Sequence, residues 1–116
     1  MMNIRPTAEA FTAALKQGDF AGAHAFWHDD VSSIEAMGDP AAVYGKAAVL
    51  AKSEAWMAAH EVHGFEVAGP YVNEDQFALT MRIDVTIKAT GHRMTMQEVA
   101  LYTVQDEKVV EERFFY

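Results

Sequence analysis

The run Met81-Arg82-Ile83-Asp84-Val85-Thr86-Ile87-Lys88 decides the fold class. Apolar residues hold its odd positions and polar residues its even ones. Successive side chains of a strand point to opposite faces, so this run predicts a strand with one buried and one polar face. The same period of two continues toward the C-terminus. Over 92–104 the even positions Met94, Met96, Ala100, Tyr102 and Val104 are apolar, with Glu98 set among them. On the last strand Val110, Phe114 and Tyr116 form the apolar set, with Glu112 inside it.

Toward the N-terminus the period becomes helical. Ala8, Phe11 and Leu15 share one face of a helix expected over about 6–17, with Pro6 in its first turn and Gly18 as its stop. Asp19 is placed to cap a second short helix, on which Phe20, Ala23 and Trp27 share a face. Asp29-Asp30 is expected to end it, and Val31 to Ala36 reads as a short strand. A loop with Gly38, Pro40 and Gly45 leads to a third helix at about 46–60, striped by Val49, Ser53, Trp56 and His60. Helices followed by strands predict a single α+β domain over 1–116, with a curved mixed or antiparallel sheet wrapped over three N-terminal helices.

The composition narrows the partners. A chain of 116 residues fits one domain, and 51% hydrophobic residues suffice for a core without staples. There is no cysteine, hence no disulfide, thiolate metal site or cysteine nucleophile. A net charge of −8 argues against nucleic acid and against anionic membranes, both of which call for a basic surface. The N-terminal MMNIRPTAEAF has no apolar core of a signal peptide, and no run approaches the ~20 residues of a membrane span. A soluble, cytoplasmic protein is expected by elimination.

Ala13-Ala14-Leu15-Lys16-Gln17-Gly18-Asp19-Phe20, followed by Phe26-Trp27-His28-Asp29-Asp30-Val31, resembles the opening of the nuclear transport factor 2-like superfamily. The nearest branches are the ketosteroid isomerases and the SnoaL-like polyketide cyclases. Tyr44-Gly45-Lys46 looks like their G-x-x-A helix start, and 98–104 with 106–110 looks like their final hairpin. The resemblance covers nearly the whole chain. It implies a cone with a pocket at its open end and a homodimer across the outer sheet face, here the face of Arg82, Asp84 and Thr86. It does not fix a function, because the superfamily holds isomerases, dehydratases, cyclases, hydrolases and binding domains.

The resemblance also places Glu35 where ketosteroid isomerases carry the carboxylate that shuttles a proton. Their oxyanion partners do not carry over: Phe11 stands at the tyrosine position and Ala100 at the aspartate position. Both departures count against ketosteroid isomerase activity itself.

Periodicity singles out Glu98 and Glu112, carboxylates inside apolar stripes. If Val104 pairs with Lys108 across a three-residue turn, Glu98 lies opposite Phe114 and Glu112 opposite Ala100. The two acids then sit diagonally within ~7–8 Å and one pKa rises. A two-residue turn at Asp106-Glu107 would bring Glu111 and Arg113 to that face instead. The first register is expected because it buries Phe114 and Tyr116. His63, on odd parity with Phe65 and Val67, is expected to face the pocket as a base or donor. His60-Glu61-Val62-His63 lacks the spacing of paired metal ligands on one helix, and His24, His28 and His92 look superficial.

Trp27, Trp56, Phe65, Met96, Tyr102, Phe114 and Tyr116 are the candidate walls for a small hydrophobic molecule. Nucleophilic triads, phosphate loops and zinc clusters are missing from the sequence, so no metal or cofactor is expected. The function expected is cofactor-independent acid–base chemistry of the isomerase, cyclase or dehydratase type on a small apolar carbonyl compound. Glu35 or Glu98 would move the proton, with His63, Glu112 and Tyr116 orienting or donating. The alternative is a non-catalytic ligand-binding or dimerisation domain of the same fold.

Overall fold

The computed structural model describes residues 3–116. Met1 and Met2, which open the N-terminal stretch read above for a signal peptide, lie outside the described residues. The elements run α1 (Arg5–Lys16), α2 (Phe20–His24), β1 (Trp27–Ile34), β2 (Ala42–Tyr44), α3 (Lys46–Ala59), β3 (His60–Asn73), β4 (Gln76–Ile87), β5 (His92–Gln105) and β6 (Lys108–Phe115). Six strands form one sheet in the order β2-β1-β6-β5-β4-β3. Among the described residues only β1 and β6 pair in parallel, so the sheet is mixed.

The alternation at 81–88 sits in β4, where Phe77, Leu79, Met81, Ile83 and Val85 are all buried. Ala8, Phe11 and Leu15 of α1 bury against this concave face. Phe11 packs at 5.8 Å from Phe77 and 4.8 Å from Tyr102, ring centre to ring centre, which ties α1 to β4 and β5. Aromatic groups of this kind contribute beyond their buried area alone. Asp19 caps α2 by accepting from the Gly22 N–H at 2.9 Å. A Cβ at Gly22 would meet the Asp19 carboxylate, so a larger residue there would oblige the capping side chain to shift.

Asp29 and Asp30 do not follow a helix. The second helix already stops at His24, and the two aspartates lie exposed inside β1, which begins at Trp27, four residues ahead of the expected strand start. The pairing of β1 with β6 shifts register between Trp27 and Ser32, and this irregularity hides the strand's period from the sequence. Beyond the shift the odd side chains point inward: Val31 and Ser33 are buried, and Glu35 continues their line just past the strand end.

Two bulges overturn two expectations of facing. In β3 the pairing with β4 steps from Val62–Val85 to Gly64–Asp84, which leaves His63 as the extra residue. A bulge reverses parity. Val62 therefore faces inward with Phe65, and His63 is exposed on the outer face, bonded through Nε2 to Thr86 Oγ1 at 2.7 Å. In the last hairpin Gln105 pairs with Lys108 across the two-residue turn Asp106-Glu107, not across three residues. Both turn residues adopt positive φ (54° and 63°), the type I′ shape that matches strand twist. A shift between Thr103 and Val104 then makes Val110 the extra residue, so Glu111 pairs with Thr103 and Glu112 with Tyr102. Val109, not Val110, is the core residue, and Tyr116 is 52% exposed beyond the strand end. The turn thus follows the rejected register, while the bulge returns Glu112 and Phe114 to the inner face.

Candidate functional site

A cavity of about 460 Å³ lies between the concave sheet face and the helices. Its walls are aromatic and aliphatic, including Phe20, Trp56, Phe65 and Phe114. Into this apolar cup project four charged side chains from different elements: Glu35 after β1, Lys52 from α3, Glu98 from β5 and Glu112 from β6.

Lys52 is the hub. Its Nζ lies 3.1 Å from Glu35 Oε2, and it donates to the buried Ser33 hydroxyl at 2.6 Å. It also stands 5.4 Å from the Phe114 ring centre, within cation–π range. The contact with Glu35 is an ion pair by distance only, since Glu35 Oε2 is buried and makes no well-aligned hydrogen bond. Ser33 pairs in register with Glu112 across β1 and β6. With Lys52 donating to its oxygen, the single Ser33 proton is free for the Glu112 carboxylate.

Glu112 is 7% exposed. Burial pushes its carboxyl up to about 7; hydrogen bonding to Ser33 and the Lys52 charge restrain the rise, and the Glu35 charge adds to it. The Trp27 indole lies near enough to favour the Glu112 carboxylate, yet among the described residues its buried Nε1–H has no well-aligned hydrogen-bond partner. The Glu98 carboxyl is raised as well, by burial first and then by Glu35, with Lys52 opposing. Burial, then the charges of Glu112 and Glu98, drives the Tyr102 hydroxyl well above its ordinary range. His24 stacks on Trp27 at 4.0 Å, and its Nε2 lies 3.5 Å from Ser53 Oγ. Burial holds the His24 imidazole below its usual pKa, with Glu54 pulling the other way.

The family model for the SnoaL-like domain matches residues 2–116. The chain belongs to the SnoaL-like family. A crystal structure from Mesorhizobium loti, provisionally described as a SnoaL-like polyketide cyclase with carbohydrate phosphatase in brackets, is 56% identical; the match covers 99% of this chain and 100% of that one, with a TM-score of 0.95. A provisional polyketide cyclase from Pseudomonas putida shares the fold at 17% identity and TM-score 0.74, covering 100% of this chain and 92% of that one. A provisional isomerase from Bacillus subtilis does so at 17% and 0.79, covering 97% and 88%. No curated protein matches the chain. The SnoaL-like, nuclear transport factor 2-like fold is consistent with small-molecule binding, and among the described residues no helix is long and apolar enough to cross a membrane.

Of the residues singled out from the sequence, this SnoaL-like domain brings Glu35, Glu98, Glu112, Trp27, Trp56, Phe65, Met96, Tyr102 and Phe114 to the cavity. His63 and Tyr116 are not among its lining residues: the bulge in β3 turns His63 outward, and Tyr116 lies past the end of β6. The close Glu98–Glu112 pair is also corrected. Glu112 pairs with Tyr102, four residues from Glu98 along β5, or ~13 Å at strand rise. Glu35 is instead the acid whose charge reaches both. Among the described residues no three histidine, aspartate or glutamate side chains gather as metal ligands.

Lys52, Ser33 and His24 were missed. Lys52 lies three residues after Val49 and four before Trp56, so it belongs to the buried stripe of α3 that the spacing revealed. Ser33 follows Val31 on the inward parity of β1. His24 was read as superficial because nothing in its neighbourhood shows that Trp27 folds back over it.

Proposed function

We propose that the cavity takes a small apolar carbonyl compound and moves a proton on it without a cofactor, in the manner of an isomerase, cyclase or dehydratase. The observation that carries this reading is the convergence of three carboxylates and one lysine on a single apolar cavity. Ionisable groups in such surroundings cost solvation, and a fold that only needed a core would fill the space with aliphatic side chains.

In this reading Glu35 takes the proton from the carbon next to the carbonyl, and Lys52 fixes its carboxylate in place. Glu98, which keeps its proton to higher pH than an ordinary glutamate, returns a proton to the resulting enolate. An enolate that picks up the proton at another carbon gives isomerisation, and one that attacks a second carbonyl gives ring closure. Incubating the protein in D2O with a panel of small bicyclic ketones, and following loss of the α-proton signals by NMR, tests the proposal. Wild-type protein should accelerate exchange over buffer, and Glu35→Gln should lower the rate by about a hundredfold or more. Equal rates for wild type and variant would sink it.

Replacement of the isomerase donor positions by Phe11 and Ala100 supports a second reading, a domain that binds such a compound without converting it. Binding of ketones with no exchange would select it. We also assign a homodimer across the outer sheet face, where Val99 and Phe115 pair in register and stand 41% and 49% exposed. Light scattering that returns a monomer mass at working concentration would remove that assignment. Cytoplasmic residence accords with the cysteine-free sequence and would show as recovery in the cytoplasmic fraction.

A further inference from the structure

Among the described residues Lys52 is the only lysine or arginine that lines the cavity. Lys16, Lys88 and Lys108 stand exposed on the surface. The flexible stem of a lysine ordinarily carries its ammonium group out to water. Here α3 turns it inward, and the side chain is only 30% exposed. Its nitrogen donates to the Ser33 hydroxyl at 2.6 Å and lies 3.1 Å from Glu35 Oε2. Both partners sit at the end of β1, and Ser33 is fully buried, so the sheet fixes where the nitrogen stands. An electron pair released at the α-carbon of a carbonyl compound needs a sink. Phe11 and Ala100 offer no donor to a carbonyl oxygen, which leaves the oxygen a poor one.

We infer that Lys52 is a nucleophile whose Nζ condenses with the aldehyde or ketone carbon of the ligand, so that an iminium nitrogen serves as the electron sink. The inference rests on the proposed function for a carbonyl ligand in this cavity. Glu35 first takes one ammonium proton, which frees the nitrogen lone pair. That pair forms the N–C bond, the carbonyl π pair moves to oxygen, and a second nitrogen proton follows it to give a carbinolamine. Glu35 then returns its proton to the carbinolamine hydroxyl. The C–O bond breaks, water leaves, and the nitrogen pair closes the C=N bond. Ammonium and carbonyl have become one iminium and one water, and Glu35 is a carboxylate again. It stands beside the nitrogen, and the α-carbon is bonded to the carbon that the nitrogen now holds. The enamine left by α-deprotonation takes its proton from Glu98, as the enolate would. Apolar surroundings favour the neutral amine–acid pair over separated charges. Glu98 and Glu112 keep their protons to higher pH than ordinary glutamates, so they hold the ammonium form less than their number suggests.

The probe is β-tetralone, with tetralin as its counterpart lacking the oxygen. The whole chain is incubated with the ketone and sodium cyanoborohydride, which reduces iminium ions and spares ketones near neutral pH, and the adduct is mapped by peptide mass spectrometry. Wild type should gain the mass of one ketone less its oxygen atom, on Lys52. Excess tetralin should suppress that label and leave any trace on the exposed lysines unchanged. A second measurement follows the ketone oxygen in heavy-oxygen water. Each round of condensation and hydrolysis exchanges that oxygen with water, whereas direct enolisation keeps it. Wild type should exchange it faster than buffer. Lys52→Arg preserves a positive charge beside Glu35 and cannot form the iminium, so oxygen exchange should fall by about a hundredfold or more while tetralin still binds. Label spread evenly over the surface lysines, or oxygen exchange that Lys52→Arg leaves unchanged, would overturn the inference. α-Proton exchange with the carbonyl oxygen retained would also overturn it and leave the proposed function standing. Label on Lys52 and oxygen exchange without α-proton exchange would uphold the inference and remove the proposed proton transfer.

Discussion

Glu112→Gln should stabilise the fold above neutral pH and do little in acid. The wild-type carboxyl has a folded pKa of about 7 against an ordinary value of 4.5. Below pH 4.5 it is protonated in both the folded and the unfolded chain and contributes no pH dependence. Between 4.5 and 7 the unfolded chain ionises while the folded one holds its proton, so the folded state loses stability as pH rises. Above 7 both are ionised and the loss levels off. At about 1.4 kcal/mol per pKa unit, the difference between 4.5 and about 7 amounts to roughly 3 kcal/mol. Glutamine has nearly the same shape and no charge, so subtracting wild type from variant cancels every other titrating group. Urea denaturation of both proteins at half-unit steps from pH 4 to pH 8.5 provides the curves, with matching m-values as the check on two-state behaviour. The expected difference is near zero at pH 4, grows through pH 5–7, and is constant at about 3 kcal/mol in favour of the variant by pH 8. A difference that does not vary with pH would refute the reasoning, because Glu112 would then ionise like a solvated glutamate.

Lys52→Met should push the Glu98 and Glu112 carboxyls still higher, since the Lys52 charge opposes the rise in both. Carboxyl carbon NMR titration of the variant checks this, and unchanged midpoints would mean that solvent screens Lys52 from the acids. Glu107→Gly should raise stability by about 0.5–1 kcal/mol, because Glu107 holds a φ of 63° that glycine adopts freely. Its denaturation midpoint should increase with an unchanged m-value, and a decrease would show that the Glu107 side chain stabilises the turn by contacts that outweigh the backbone gain.

Three carboxyl groups in an apolar cup are a costly arrangement for a protein to keep without use. Glu112 alone opposes folding near neutral pH by the amount worked out above, and at Glu98 the repulsion from Glu35 outweighs the attraction of Lys52. The Trp27 Nε1–H at the same spot has no well-aligned partner among the described residues. Local rules are broken together in one cavity and obeyed along β4 and α1, which is the pattern expected where function opposes stability.

The strong periods were readable directly. Alternation at 81–88 and at 94–104 defines β4 and β5 and their inward faces, because both strands run without a bulge against each other. The helical spacing of Ala8, Phe11 and Leu15 and the cap at Asp19 are equally local, and they place α1 and α2. From these faces alone Glu98 and the aromatic walls could be assigned to the cavity. What the tertiary structure decided lies at the irregular places. An extra residue at His63 turned that side chain outward, and an extra residue at Val110 kept Glu112 inward despite a two-residue turn. A bulge leaves no mark in hydrophobic period except a change of phase, and Asp106-Glu107 carries no glycine or asparagine to announce a type I′ turn. The partnership of Glu35, Lys52, Ser33 and Glu112 joins α3, β1 and β6, elements whose contact depends on a parallel crossover between chain segments about eighty residues apart. Local pattern shows which residues face the cavity; only the assembled sheet shows which of them meet.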